Sequence, residues 1–213
     1  MDPAVSAPVR SRRAARTRAA TGDEREQAIL ATAERLLAVK PLAEISIDEL
    51  AKGAGISRPT FYFYFASKEL VLLALLDRVV SEARARRDDA LDRLAEGPER
   101  GWRDAIGAFC ATFAEHRAVT AASAVALHTN DEVRAVWSRV MEGFVADTAA
   151  AIEAERRRGA APDGVPARDL AISLNWMVER VLVSTHGGQE PAVPEDRLLD
   201  TLLAVFLGAI YRG

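Results

Sequence analysis

Cysteine, histidine and long apolar runs are scarce in this sequence of 213 residues. The single cysteine, Cys110, cannot form a disulfide within the chain, which is typical of a reducing compartment. No apolar run approaches the roughly 20 residues that a membrane-spanning helix needs. The Arg-rich N-terminal stretch is not followed by the apolar block of a secretory signal. These absences predict a cytoplasmic protein without a membrane partner.

The residue patterns of common enzyme classes are also missing. The three histidines, His116, His128 and His186, do not have the spacing of metal ligands, and no Glu-x-x-His motif of a di-iron bundle occurs. The "GAG" at 53–55 lacks the Lys-Ser/Thr that completes a phosphate-binding loop. Cys110 lies in an apolar stretch, which favours burial over reactivity. We expect no enzyme, no cofactor and no metal site; a helical-bundle enzyme is the alternative.

Charge is distributed unevenly along the chain. The net charge is −3, but residues 1–80 carry a net +2 and residues 81–213 a net −5. The segment between Glu49 and Glu69 has three basic residues and no acid, namely Lys52, Arg58 and Lys68. A local basic stretch of this kind is compatible with nucleic-acid binding, although solvated surfaces often have one too.

The apolar periodicity predicts an all-α protein in three parts. Residues 1–22 are rich in Ala and Arg, have few large apolar side chains, and are predicted to be a disordered arm that either solubilises the chain or contacts DNA. Residues 23–66 are predicted to form a small domain of three helices. Residues 67–213 are predicted to form a larger helical domain, with helices at 67–95, 99–115, 118–128, 131–158, 167–187 and 195–211.

Five consecutive aromatic residues, "FYFYF" at 61–65, can be a strand or a short helix by periodicity alone. The flanks decide for a helix, because Ser57 can cap it, Pro59 fits its first turn, and Ser67 can cap the next helix. The preceding helix has a capping box at Ser46 and Glu49 and ends at the "GAG" turn. Two short helices joined by such a turn predict a helix-turn-helix.

Within that second helix, Phe61 and Phe65 are four residues apart and are predicted to anchor it to the domain. The residues between them then face outward, where hydroxyl groups can donate to phosphates and Thr or Phe can contact a thymine methyl. All five aromatic residues cannot be core, because five successive positions cover more than a full turn. The candidate DNA-binding residues are Lys52, Ser57, Arg58, Thr60, Tyr62, Phe63, Tyr64 and Lys68.

The segment "ISIDELAKGAGISRPTFYFYFASKELVLLALLDRVV" resembles the DNA-binding segment of the tetracycline-repressor (TetR) family. Further motifs, among them "WRDAIGAFCATF" and "LDTLLAVFLGAIY", are similar to those of a ligand-responsive repressor of that family. The resemblance implies a homodimer that binds operator DNA and is released by a small apolar or amphiphilic effector. A DNA-binding protein without an effector is the alternative within this class.

In the larger domain, aromatic residues recur on single helix faces, which by itself indicates packed core. The resemblance implies instead an elongated apolar cavity. Its expected lining is Trp102, Phe109, Phe113, Trp137, Met141, Phe144, Thr148, Asn175, Val178, Leu182 and Phe206. Asp147 would favour a cationic or donating ligand if it faces that cavity, and has no bearing on specificity if it faces solvent.

The resemblance also implies dimerisation through the last two helices. Two apolar faces at helical spacing are available there, although in isolation either could be core. On the last helix the face comprises Leu199, Leu202, Leu203, Phe206 and Ile210, and on the preceding helix Leu170, Leu174, Met177 and Val181.

Overall fold

In a computed structural model of the protein, the described residues are 10–91 and 94–212, and no strand occurs among them. The chain divides into two compact units, Met1–Val71 and Leu72–Gly213. No helix in the described part is both long enough and apolar enough to span a membrane. The helices are α1 (Arg10–Leu37), α2 (Ile47–Gly53), α3 (Arg58–Tyr64), α4 (Lys68–Leu91), α5 (Pro98–Glu115), α6 (Arg117–Thr129), α7 (Asp131–Arg157), α8 (Ala167–Gly187) and α9 (Glu195–Tyr211).

The N-terminal helix starts earlier than the sequence pattern predicts. We predicted a disordered arm over residues 1–22, but α1 begins at Arg10. Residues 10–21 are mostly Ala and Arg, which are among the strongest helix formers, and they include no Pro or Gly. Helix propensity alone therefore extends α1 beyond the apolar periodicity that begins near residue 23. Residues 1–9 of the predicted arm lie outside the described residues.

In the first unit, α2 has the predicted start and end. The Ser46 side chain accepts a hydrogen bond from the Glu49 N–H, and the Glu49 carboxylate accepts one from the Ser46 N–H, which confirms the capping box. The Lys40 ammonium and the Ser46 donors lower the pKa of Glu49 to about 2. After α2, Gly55 has a φ of 69°, a left-handed conformation that glycine adopts without strain. The N–H groups of Gly55 and Ile56 then bond back to α2 and close the turn.

The aromatic run is the helix α3, as predicted. Ser57 caps it by accepting a hydrogen bond from the Thr60 N–H, and Pro59 lies in the first turn. Phe61 is completely buried and Phe65 is 8% exposed, with their ring centroids 6.2 Å apart. Two buried phenyl rings, one turn apart, therefore fix α3 in the first unit, where it contacts α2.

In the second unit, the ends of α5 to α9 lie within one residue of the predicted ones. A buried polar network joins three of these helices. The Trp102 indole N–H donates to the Tyr211 hydroxyl at 3.0 Å, and that hydroxyl donates to the Glu155 carboxylate at 2.7 Å. Glu155 is only 2% exposed, and Arg158 donates to both of its oxygens. Burial and the bond to Glu155 raise the pKa of Tyr211.

The apolar face of α9 that we predicted for dimerisation is core of its own unit. Leu202, Leu203, Phe206 and Ile210 are all less than 5% exposed within the single chain. Core and interface produce the same 3/4 spacing, so periodicity could not separate them. The exposed large apolar side chains on α8 and α9 are Trp176, at 46%, and Val205, at 41%.

Candidate functional site

The exposed face of α3 is aromatic. Phe63 is 83% exposed and Tyr62 is 45% exposed, on a helix whose opposite face holds the fully buried Phe61. Thr60 and Tyr64, also predicted to face outward, are half-buried. Adjacent exposed aromatic side chains are unusual on a free surface and indicate a binding site.

Polar residues at the start of α3 are held by neighbours in the same unit. The Arg58 guanidinium donates to the Tyr62 hydroxyl and to the Asp48 carboxylate, each at 3.4 Å. The Ser57 and Thr60 hydroxyls lie 2.8 Å apart, and Lys52 is exposed on α2. These partners are weak or solvent-exposed, so the side chains can exchange them for a phosphate.

Lys68 makes contacts that the sequence did not predict. Its ammonium donates to the backbone carbonyl oxygens of Leu42, Ala43 and Ile45, at 2.8, 2.9 and 3.0 Å. An ammonium has three hydrogens, and all three are therefore used within the first unit. The side chain ties the loop between α1 and α2 to the start of α4. A DNA contact by Lys68 stays a prediction, and it would involve its charge and backbone rather than a free ammonium.

The second unit contains two small inner cavities. Together they are lined by all eleven residues predicted for the ligand site, and Phe109 and Asn175 line both. Their volumes are only about 30 and 40 Å³, room for no more than a few water molecules. The first is lined by Phe109, Phe113, Trp137, Met141, Phe144, Asn175 and Leu182, and the second by Trp102, Phe109, Thr148, Asn175, Val178 and Phe206.

Two polar residues near these cavities have partners within the unit. The Asn175 amide donates to the Thr148 hydroxyl at 3.1 Å and to the backbone carbonyl of Ala171 at 2.8 Å. Asp147 pairs with Arg87, and its side chain is 45% exposed. Asp147 is not among the lining residues of either inner cavity, so its charge gives no reason to expect a cationic ligand.

A third cavity, which sequence reasoning missed, adjoins the first inner cavity and has a volume of about 490 Å³. We refer to this third cavity as the vestibule. Six residues line both the vestibule and the first inner cavity, so the two share a wall. The shared residues are Thr120, Ala124, Leu127, Trp137, Glu179 and Val183. The polar and aromatic residues confined to the vestibule include Arg117, His128, Arg134, Trp176, Arg180 and His186.

Comparison with known proteins identifies the class of protein. The family model for bacterial regulatory proteins of the tetR family matches residues 29–75, and the model for the C-terminal domain of the transcriptional regulator EthR matches residues 102–212. The chain is 55% identical over 204 residues to the HTH-type transcriptional regulator EthR of Mycobacterium tuberculosis, covering 93% of each chain. The chain belongs to the TetR family. It is also 48% identical to EthR of Mycolicibacterium smegmatis, covering 95% of this chain and 92% of that one.

Solved structures of TetR-family regulators share the fold. A transcriptional regulator from Saccharomonospora viridis, in complex with choline, aligns with a TM-score of 0.72 at 23% identity and covers 87% of this chain and 96% of that one. At this level of identity the likeness concerns the fold alone. The helix-turn-helix and the all-helical architecture predicted from the sequence are thereby confirmed.

Proposed function

We propose that the protein is a ligand-responsive transcriptional repressor that binds operator DNA as a homodimer. The observation that carries the DNA-binding part is the exposed aromatic face of α3, formed by Tyr62 and Phe63, on a helix anchored by the buried Phe61. Family membership supports this part, since the relatives at 55% and 48% identity are HTH-type transcriptional regulators. A protein that regulates transcription in this way works in the cytoplasm.

The α3 face can be tested with two substitutions and a matched control. Tyr62→Ala and Phe63→Ala each remove one exposed aromatic side chain, and Val39→Ala removes an apolar side chain that is 78% exposed elsewhere in the first unit. We expect both aromatic variants to bind operator duplex about tenfold or more weakly, because each loses contacts worth on the order of 1–3 kcal/mol. Helicity and oligomeric state should not change. Unaltered affinity in both variants, or an equal loss in the control, would contradict the assignment.

Effector binding is proposed for the inner cavities, whose apolar lining suits a small apolar or amphiphilic molecule. Because these cavities are small, a ligand must move side chains such as Met141, an unbranched residue that repacks readily. A ligand can release DNA only through a difference in its affinity for the two states of the repressor. Thermal stabilisation of the protein by apolar compounds would support such a site.

A regulator without an effector is a second candidate, and two observations favour it. The inner cavities are nearly filled, and the Asn175 amide already has two hydrogen-bond acceptors. This candidate predicts that apolar compounds neither stabilise the protein nor release it from DNA. The same thermal measurements therefore separate the two candidates.

Dimerisation is proposed through the outward faces of α8 and α9, where Trp176 and Val205 are exposed. The small exposed neighbours Thr201 and Ala204 would let a second α9 approach closely. Val205→Glu places a charge on that face, which is costly to bury without a partner. We expect Val205→Glu to sediment as a monomer while the wild-type protein sediments as a dimer. A dimer of undiminished stability in the variant would argue for another interface.

A further inference from the structure

The vestibule has an excess of positive charge. Arg117, Arg134 and Arg180 line it, and each guanidinium stays ionised at any physiological pH. Glu179 is the acid among the lining residues that the structure describes. Burial raises the pKa of Glu179, which favours its neutral form. The wall of the vestibule is therefore cationic, in a chain whose net charge is negative.

These arginines are weakly neutralised. Arg117 lies 3.6 Å from the carboxylate of Glu195, and Arg134 lies 2.8 Å from that of Asp131, but both acids are outside the lining and their side chains are at least 60% exposed. Ion pairs with such exposed acids contribute little. Arg180 donates to a neutral group, the side-chain oxygen of Gln189, at 3.0 Å. An anion entering the vestibule could replace these partners.

Buried polar atoms without hydrogen-bond partners surround the same space. Both ring nitrogens of His186, which lines the vestibule, are buried and unpartnered. The indole nitrogen of Trp137, a residue that lines both the vestibule and the first inner cavity, is also unpartnered, and Trp137 is 8% exposed. Ser123, which lines the inner cavity and is 4% exposed, has an unpartnered hydroxyl. An indole N–H can only donate, so Trp137 requires an acceptor.

The dimensions also suit a small molecule. The vestibule volume of about 490 Å³ lies in the range of known ligand sites, roughly 300–1,000 Å³. On its inner side it borders an apolar cavity, and the shared residues are mostly small or apolar apart from Glu179. A cationic outer chamber thus adjoins an apolar inner one, with the Trp137 donor between them.

We propose that the vestibule binds the carboxylate head of an anionic amphiphile whose apolar chain enters the first inner cavity. Arg117 and Arg180 supply the charge that binds the head, and the Trp137 N–H donates to an acceptor of the ligand at the junction. This proposal rests on the proposed function, since it specifies the chemical class of the effector. It adds a head-group site to the apolar lining that the sequence predicted.

Three probes with the same ten-carbon chain test this assignment on the full-length protein. They are decanoate, decan-1-ol and decyltrimethylammonium, titrated below their micellar concentrations and followed by calorimetry and by quenching of tryptophan fluorescence. We expect decanoate to bind about tenfold or more tightly than decan-1-ol, the ratio expected when a charged head group gains hydrogen bonds from arginine. Decyltrimethylammonium should bind more weakly than the alcohol.

The double variant Arg117→Gln/Arg180→Gln should abolish the preference for decanoate and leave decan-1-ol binding within about twofold. The control Arg139→Gln/Arg157→Gln removes two exposed charges from α7, and neither residue lines the vestibule. This control should keep the preference, which excludes an effect of net charge alone.

Equal binding of decanoate and decan-1-ol, or tighter binding of the cation, would overturn the anionic assignment. If decan-1-ol then still released operator DNA, the ligand-responsive repressor would stand without it. Failure of decanoate to bind at all would also overturn the assignment. Operator binding in the absence of ligand is unaffected by these outcomes and tests the DNA-binding part separately.

Discussion

Replacing Lys68 by Met removes three hydrogen-bond donors and keeps most of the aliphatic stem. The wild-type ammonium donates to the carbonyl oxygens of Leu42, Ala43 and Ile45 at 2.8–3.0 Å. A hydrogen bond from a charged donor contributes about 1.5–3 kcal/mol when it is shielded from water. Lys68 is only half-buried and the bond to Ala43 is exposed, so water can replace much of the loss. We expect the three bonds together to contribute about 1–3 kcal/mol to the order of this loop.

Hydrogen–deuterium exchange of the full-length protein measures this directly. Because 1.4 kcal/mol corresponds to a factor of ten, Lys68→Met should speed amide exchange in residues 42–47 by roughly 5- to 150-fold. A peptide from α9 serves as the internal reference. Lys52→Met is the matched control, since this exposed lysine is in the same unit and should leave the exchange of residues 42–47 unchanged. Unchanged exchange in Lys68→Met would show that Lys68 does not hold the loop.

Three further changes test the packing and the buried groups. A Cβ at Gly53 would overlap the Thr32 methyl, so Gly53→Ala should cost about 1–3 kcal/mol in urea unfolding, and Thr32→Ser should recover part of it; an additive double variant would contradict this contact. Tyr211→Phe removes a donor to the buried Glu155 and should cost about 1–3 kcal/mol. Because the pKa of Tyr211 is raised, its contribution should be complete below pH about 10 and decline at higher pH, a decline that the Phe variant should lack. Burial raises the pKa of Cys110 to about 11, so iodoacetamide at pH 8 should label the unfolded protein much faster than the native one; equal rates would show that the thiol is accessible.

The helices could be predicted from the sequence because their signals are local. Capping by Ser46 and Ser57, the Gly55 turn and Pro98 at the start of α5 each depend on residues within a few positions of one another. Apolar periodicity then gave the ends of α5 to α9 within one residue. The start of α1 was missed because its first turns are built on Ala and Arg propensity, with no apolar stripe.

Long-range features could not be predicted in the same way. The bonds from Lys68 to Leu42 and Ile45 span more than twenty residues of sequence, and no local pattern announces them. The vestibule assembles Arg117, Arg134 and Arg180 from three different helices, and each looks like an ordinary surface arginine in sequence. The eleven lining residues were named correctly, but whether they enclose open space depends on packing that composition does not reveal.

The central claim is that α3 reads a specific DNA sequence, and one titration tests it most directly. Fluorescence anisotropy would compare binding of the wild-type protein to a duplex from just upstream of its own gene and to a shuffled duplex of equal length, over a range of salt concentrations. Specific readers bind their sites about 10³-fold or more tightly than other DNA, and we expect that contrast here. Equal and steeply salt-dependent binding to both duplexes would mean that charge alone holds the protein on this DNA, and would contradict sequence-specific binding at this site.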